Sequence, residues 1–245
     1  MQMFRRLFIA AASAGLLSGL FVTLIHQVTT VPVILDAEVF EQAADEKVAS
    51  AEPATDAAPA GESHEAHDHD HDAAAWEPQD GFERTAYTAL ADLLTGVGFA
   101  LLLIAAYAVS GRAIDWRQGV YWGLAGFAVF TLAPGLGLPP EVPGTAAAAL
   151  DARQFWWIAT AVLTAGGLAL LFYVREPKPL WVAVAVAMIV IPHAIGAPQP
   201  QEYASAAPEA LAHRFIAAVT VASLLFWAVL GALSGYFYKR FVAAA

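Results

Sequence analysis

Six long apolar stretches are the feature that most constrains the fold of this 245-residue chain. Crossing the apolar core of a bilayer, roughly 30 Å thick, takes about 20 helical residues. Because unpaired backbone groups are costly in lipid, helices are the expected form of these stretches. The sequence therefore predicts an all-α integral membrane protein with about six transmembrane helices. Their approximate ranges are 7–28, 86–109, 119–138, 155–174, 180–195 and 215–237.

Two of these stretches leave the count open. Arg5 and Arg6 precede the first stretch, and Ala12-Ser13-Ala14 resembles the small-residue site of a signal peptide. The apolar run continues to Ile25, however, which favours a retained helix. The fifth stretch is short and contains Pro192. Five helices are expected if the first is cleaved or the fifth is not counted.

The distribution of basic residues orients these helices, since cytoplasmic loops are enriched in Lys and Arg. With the N-terminus inside, eight basic residues flank the inner ends and four lie outside. Both termini are therefore predicted to be cytoplasmic. Three outer arginines each follow an acid (Glu83, Asp151 or Glu209) and are expected to form local ion pairs or to be polar anchors of the helix starts. The inner residues are Arg5, Arg6, Arg112, Arg117, Arg175, Lys178, Lys239 and Arg240, and the outer ones are Lys47, Arg84, Arg153 and Arg214.

Most of the negative charge lies in one segment. Between Asp36 and Glu83 there are 15 acidic residues and one basic residue, whereas the rest of the chain has a net charge of +4. A segment so rich in Ala, Glu, Asp, Pro and His is expected to be a disordered extracytoplasmic loop. The predicted organisation is thus a first helix in 1–35, the loop in 36–83 and a five-helix membrane domain in 84–245. The basic residues are too scattered to predict binding to nucleic acid.

Four histidines lie within eight positions of this loop, interleaved with carboxylates. Neutral imidazole and carboxylate are ligands that suit divalent zinc, nickel, copper and cobalt. Only three other histidines occur in the chain, so the concentration favours metal contact over a solvated acidic linker. We expect weak, rapidly exchanging capture from such a segment. The candidate ligands are His64, His67, Asp68, His69, Asp70 and His71.

Four further ionisable residues fall in the predicted outer half of the spans, where such groups are functional candidates. They are His26, Asp92, His193 and His213. Together they would form an imidazole–carboxylate site that receives an ion from the loop. The alternatives are that His26 and His213 anchor helix ends, and that Asp92 pairs with Arg84 or Arg153. His193 is favoured because Pro192 frees backbone carbonyls nearby.

Small and aromatic residues in the spans predict packing. Gly15 and Gly19 form a G-x-x-x-G pattern, and Gly119, Gly123 and Gly126 follow one another in the third span. Such residues allow close contact between helices, within the chain or with a partner. Tryptophans at span ends are expected to be interfacial: Trp156, Trp157 and Trp181.

Proline-rich segments follow the third and fifth spans, at 133–140 and 191–200. Their similarity suggests that spans three and four and spans five and six are two related hairpins. Interrupted segments at matching places in repeats are typical of transport sites.

Missing motifs narrow the class. The chain has no cysteine, which excludes disulfides and thiolate metal sites. It also lacks the phosphate-binding loop, the H-E-x-x-H helix and the G-x-S-x-G elbow. No catalytic residues and no bound organic cofactor are predicted.

Several short motifs occur at 3–7, 81–85, 122–127, 132–141, 152–157, 192–198 and 214–215, together with the His/Asp loop. In their order and spacing they resemble the CbtA family, predicted cobalt transporter subunits of bacterial inner membranes. The resemblance implies cobalt uptake linked to cobalamin synthesis, often with a small membrane partner, CbtB.

We therefore expect a multi-pass inner-membrane subunit whose transported substrate is a divalent metal ion, with cobalt favoured and nickel or zinc as alternatives. Its partners would be the lipid bilayer, a CbtB-type subunit and, in a homo-oligomer, further copies. One rival is a metal sensor or chaperone whose helices only anchor the loop. A second is a membrane enzyme using a bound metal, which would need an open coordination position near His193.

Overall fold

The computed structural model describes residues 1–51, 78–79, 81–173 and 178–243, and within them helices are the only extended secondary-structure elements. The first helices are α1 (Gln2–Val28), α2 (Thr30–Ala51) and α3 (Phe82–Ser110). Next come α4 (Trp116–Phe127), a π-helix (Ala128–Leu132) and α5 (Ala133–Gly135). The last are α6 (Leu150–Tyr173), α7 (Pro179–Ile195) and α8 (Glu209–Tyr238), which ends in a second π-helix (Lys239–Ala243).

Four of the described helices are long and apolar enough to cross a membrane: α1, α3, α6 and α8 with its terminal π-helix. They match the predicted first, second, fourth and sixth spans. The fifth span forms α7, an apolar helix of 17 residues. The total of six spans remains a prediction.

The third span is a helix interrupted by a π-turn, not a uniform α-helix. The amide of Ala133 donates to the carbonyl of Ala128, five residues earlier, immediately before Pro134. Proline has no amide hydrogen and cannot continue the regular pattern. Pro134 itself lies in α5, directly after the π-turn, and the regular α-helix already ends at Phe127.

The prediction of disorder from Asp36 onward is wrong for residues 36–51, which belong to α2. Alanine and glutamate favour helix strongly, so the composition that argued against a core does not oppose a helix. One face of α2 is also anchored, since Val33 and Ala37 are buried in a cluster with Phe215 of α8. The remaining loop, including the histidine-rich motif at 64–72, lies outside the described residues.

Glycines set which helices pack together. Gly15, Gly19 and Gly96 form the contact between α1 and α3, where an added Cβ would meet backbone atoms. Gly119 and Gly123 meet Gly231 of α8 in the same way. The predicted packing role of these glycines is confirmed, and their partners are within the chain. The principal pairs are α1 with α3, α4 with α8, α1 with α8, and α6 with α7, so α4 and α8 each pack outside their predicted hairpin.

The proline-rich segments meet at one end of the helices. The amide of Ala146 donates to Ala204 (2.8 Å), and that of Ala206 donates to Gly144 (3.1 Å). We call the end that carries residues 136–149 and 196–208 the loop end. It is the end predicted to be extracytoplasmic.

Candidate functional site

The close contact of α1 and α3 positions the first candidate pair. A Cβ placed on Gly19 would lie 2.7 Å from the carbonyl oxygen of Asp92 and equally close to Cα of Leu93. Only glycine, which has no Cβ, allows the two helix backbones to come this close. The next turn of α1 carries Thr23 and His26, whose side chains consequently reach Asp92.

Asp92 accepts contacts from both of these α1 side chains. Its Oδ2 lies 3.2 Å from Nδ1 of His26 and 2.9 Å from the hydroxyl of Thr23. That hydroxyl also lies 2.9 Å from the carbonyl oxygen of Gly19. The side chains of His26 and Asp92 are 26% and 15% exposed, so both are partly withdrawn from the surface.

This geometry leaves ligand atoms available. When neutral His26 donates from Nδ1 to the carboxylate, its lone pair is on Nε2, the arrangement common among metal-binding histidines. Among the described residues, these two side chains make their hydrogen bonds through Nδ1 of His26 and Oδ2 of Asp92. Nε2 of His26 and Oδ1 of Asp92 are therefore the atoms suited to a divalent cation.

His193 occupies the last turn of α7, beside Trp156 of α6. The two rings meet edge to face with centroids 5.8 Å apart. The indole N–H of Trp156 donates to the carbonyl of Pro192 (3.2 Å). Trp156 is buried and joins α6 to α7, and its position at the membrane interface remains a prediction. Pro192 also offers no amide hydrogen to the carbonyl of Met188, one turn earlier.

His213 lies in the first turns of α8 and is exposed. Its Nε2 is 3.7 Å from a carboxylate oxygen of Glu209, one turn earlier. The structure therefore joins His26 to Asp92 but gives His193 and His213 other neighbours. Among the described residues, no group of three or more His, Asp or Glu side chains is close enough to hold one metal ion. Metal binding by the four residues remains a prediction.

The arginines at the loop end pair with acids that sequence proximity did not suggest. Arg84 binds Glu38 through two hydrogen bonds of 2.8 and 3.1 Å. Arg153 contacts Glu141 at 3.2 Å, and Arg214 lies 3.9 Å from Asp36. The predicted pairs of Arg153 with Asp151 and of Arg214 with Glu209 are replaced by these contacts. The alternative pairing of Asp92 with Arg84 or Arg153 is likewise replaced by His26 and Thr23.

Two polar residues at this end were missed as candidates by the sequence analysis. Glu141 and Arg153 line two neighbouring cavities, of about 630 and 810 Å³. In the sequence Glu141 stood out only within the motif at 132–141, and Arg153 only as an outer basic residue and a possible partner of Asp151 or Asp92. Glu141 and Arg153 are 12 positions apart, and most of the chain between them is not helical. Their spacing in the sequence therefore does not predict that they meet.

Comparison with known proteins identifies a family for this chain. The family model described as "Probable cobalt transporter subunit (CbtA)" matches residues 4–239. No curated protein and no solved structure matches the chain. The family match covers nearly the whole sequence, including α1, the loop and every later helix. The chain belongs to the CbtA family of probable cobalt transporter subunits.

Proposed function

We propose that this protein is the membrane subunit of an uptake system for a divalent transition metal, with cobalt as the substrate. The family description supports the cobalt assignment. The His26–Asp92 pair is the observation in the structure that best supports passage through the helices, since it offers nitrogen and oxygen ligands at a partly buried position. Nickel and zinc use the same ligand types and are the alternative substrates.

The proposed route begins at the histidine-rich loop, whose residues 64–72 capture the ion outside the membrane. The ion then passes to polar residues of the spans: His26 with Asp92, His193 and His213. Because two ligands do not complete a site, we propose that passage combines them with water or with loop histidines. The membrane potential favours inward movement of a dication by about 2.3 kcal/mol per charge per 100 mV.

The predicted topology is part of this proposal. The chain lies in the bacterial inner membrane with six spans and both termini cytoplasmic, so that the loop end faces outward. The family description as a subunit supports the need for a partner. A small CbtB-type membrane protein is the proposed partner, and the close-packing helices also permit a homo-oligomer.

Cellular metal content tests the proposal. Cobalt, nickel and zinc are measured by mass spectrometry in an uptake-deficient host that expresses the wild type, Asp92→Asn, His193→Ala or a deletion of 64–72. We expect cobalt accumulation to fall at least about tenfold in the two substitutions, because each removes a charged or imidazole ligand. The loop deletion should weaken accumulation without abolishing it. Asp151→Asn is the matched control, since this acid is exposed at the start of α6.

The opposite pattern would support the rival reading. If both span variants accumulate as much cobalt as the wild type while the loop deletion abolishes accumulation, the helices only anchor a sensor or chaperone. If the wild type accumulates no metal, the experiment is repeated with the small partner subunit. Absence of accumulation there as well would refute transport.

A further inference from the structure

The two cavities at the loop end share a boundary. We call the first the loop cavity; it lies between residues 136–149, residues 196–208 and the start of α8, with a volume of about 630 Å³. The second, the helix cavity, measures about 810 Å³ and extends along the π-helix, α6 and α8. Glu141 and Arg153 line both cavities. Their ion pair therefore lies where the two spaces adjoin.

The chemistry of the two cavities differs. Glu209 and His213 also line the loop cavity, and because their side chains are 87% and 70% exposed, this carboxylate and imidazole border its solvent-exposed side. The polar residues of the helix cavity, apart from the shared pair, are neutral: Thr131, Gln154 and Thr220. A cation that passed from the loop cavity toward the helix cavity would therefore reach Glu141 at the boundary, and it would meet no further carboxylate among the residues that line the helix cavity.

The contact between Glu141 and Arg153 is weak enough to exchange. A single distance of 3.2 Å joins Nη2 of Arg153 to Oε2 of Glu141, and the side chains are 33% and 26% exposed. Partly hydrated ion pairs of this kind contribute little stability, about 0–1 kcal/mol. Arginine cannot ligate a metal, because it carries only donors and stays protonated. A divalent cation carries twice the charge of the guanidinium, so its attraction to the carboxylate at equal distance is twice as large.

We propose that Glu141 is a binding residue for a divalent cation and that Arg153 is its resident counter-ion, displaced when the cation binds. This inference rests on the proposed function and adds a site to it, at the boundary between the loop cavity and the helix cavity. No covalent step is involved: the carboxylate exchanges one cationic partner for another, and Arg153 turns toward water.

Opposite effects of the two partners distinguish this site from a structural ion pair. Glu141→Gln removes the ligand, whereas Arg153→Gln removes the competitor. The measurement is the cobalt chloride concentration at which the unfolding temperature of the purified full chain rises halfway. We expect that midpoint to increase about tenfold in Glu141→Gln and to decrease about threefold in Arg153→Gln. Glu141→Asp, which keeps the carboxylate, should remain close to the wild type.

Controls come from another pair at the same end. Asp36→Asn and Arg214→Gln alter an outer ion pair that borders a different cavity, and we expect neither to shift the midpoint. Shifts in the same direction for Glu141→Gln and Arg153→Gln, or no shift in Glu141→Gln, would overturn the proposal. If Arg153→Gln does not fold, equal midpoints for Glu141→Gln and Glu141→Asp would overturn it.

Failure of this inference is separable from failure of the transport proposal. Binding is measured on purified protein and needs no uptake. If the midpoints of Glu141→Gln and Arg153→Gln shift in opposite directions but cells accumulate no metal, the cation site is supported and transport is refuted. If cells accumulate metal but the two midpoints shift in the same direction, transport is supported and Glu141 is not part of the route.

Discussion

Replacing Gly19 with alanine should separate α1 from α3 and disrupt the His26–Asp92 pair. An added Cβ would lie 2.7 Å from the carbonyl oxygen of Asp92 and from Cα of Leu93. Both are backbone atoms of a helix and cannot rotate away. The helices must therefore move apart by about 0.7 Å to restore an ordinary contact of 3.4 Å, and overpacking of this kind costs about 1–3 kcal/mol.

The same displacement acts on the candidate ligands. Nδ1 of His26 lies 3.2 Å from Oδ2 of Asp92, and an added 0.7 Å would place this contact beyond the hydrogen-bond range. We expect a lower unfolding temperature of the purified protein together with reduced cobalt accumulation. Asp92 itself is not replaced, so loss of accumulation would be attributable to geometry.

Gly98→Ala, on the partner helix α3, is the matched control. No heavy atom lies within 4 Å of a Cβ built there. Alanine is also a better helix former than glycine by about 0.5–1 kcal/mol, so this variant should be as stable as the wild type or more stable. If Gly19→Ala matches Gly98→Ala in unfolding temperature and in accumulation, the reasoning from backbone contact is refuted.

Two further predictions concern buried hydroxyls and topology. The hydroxyl of Thr160 is buried without a hydrogen-bond partner among the described residues, so Thr160→Val should raise the unfolding free energy by about 1 kcal/mol in denaturant titration. An unchanged or lower value would mean that this hydroxyl has a partner after all. Because the chain has no cysteine, single cysteines report topology without background. An impermeant maleimide applied to intact cells should label Ala74→Cys and leave Ala113→Cys unlabelled. Labelling of Ala113→Cys alone would show that the chain has the opposite orientation.

Local properties of the chain were readable from the sequence. Each apolar stretch meets lipid or other apolar residues, so its hydrophobicity predicts a helix without knowledge of its neighbours. Regular glycine spacing likewise predicts a face that packs closely, as Gly15 and Gly19 do. The disorder prediction failed for 36–51 because α2 combines local helix propensity with contacts to α8, which is distant in sequence.

The helical membrane class, the positions of most helices and the residue types suited to metal were therefore predictable from the sequence. Three features required the folded structure: His26 meets Asp92, 66 positions away, Arg153 pairs with Glu141 and not with Asp151, and this pair borders two cavities. The physical reason is that hydrophobicity acts residue by residue, whereas an ion pair depends on distances of a few ångströms between side chains. Those distances are set by how glycine-lined helices pack and by the path of the proline-rich segments.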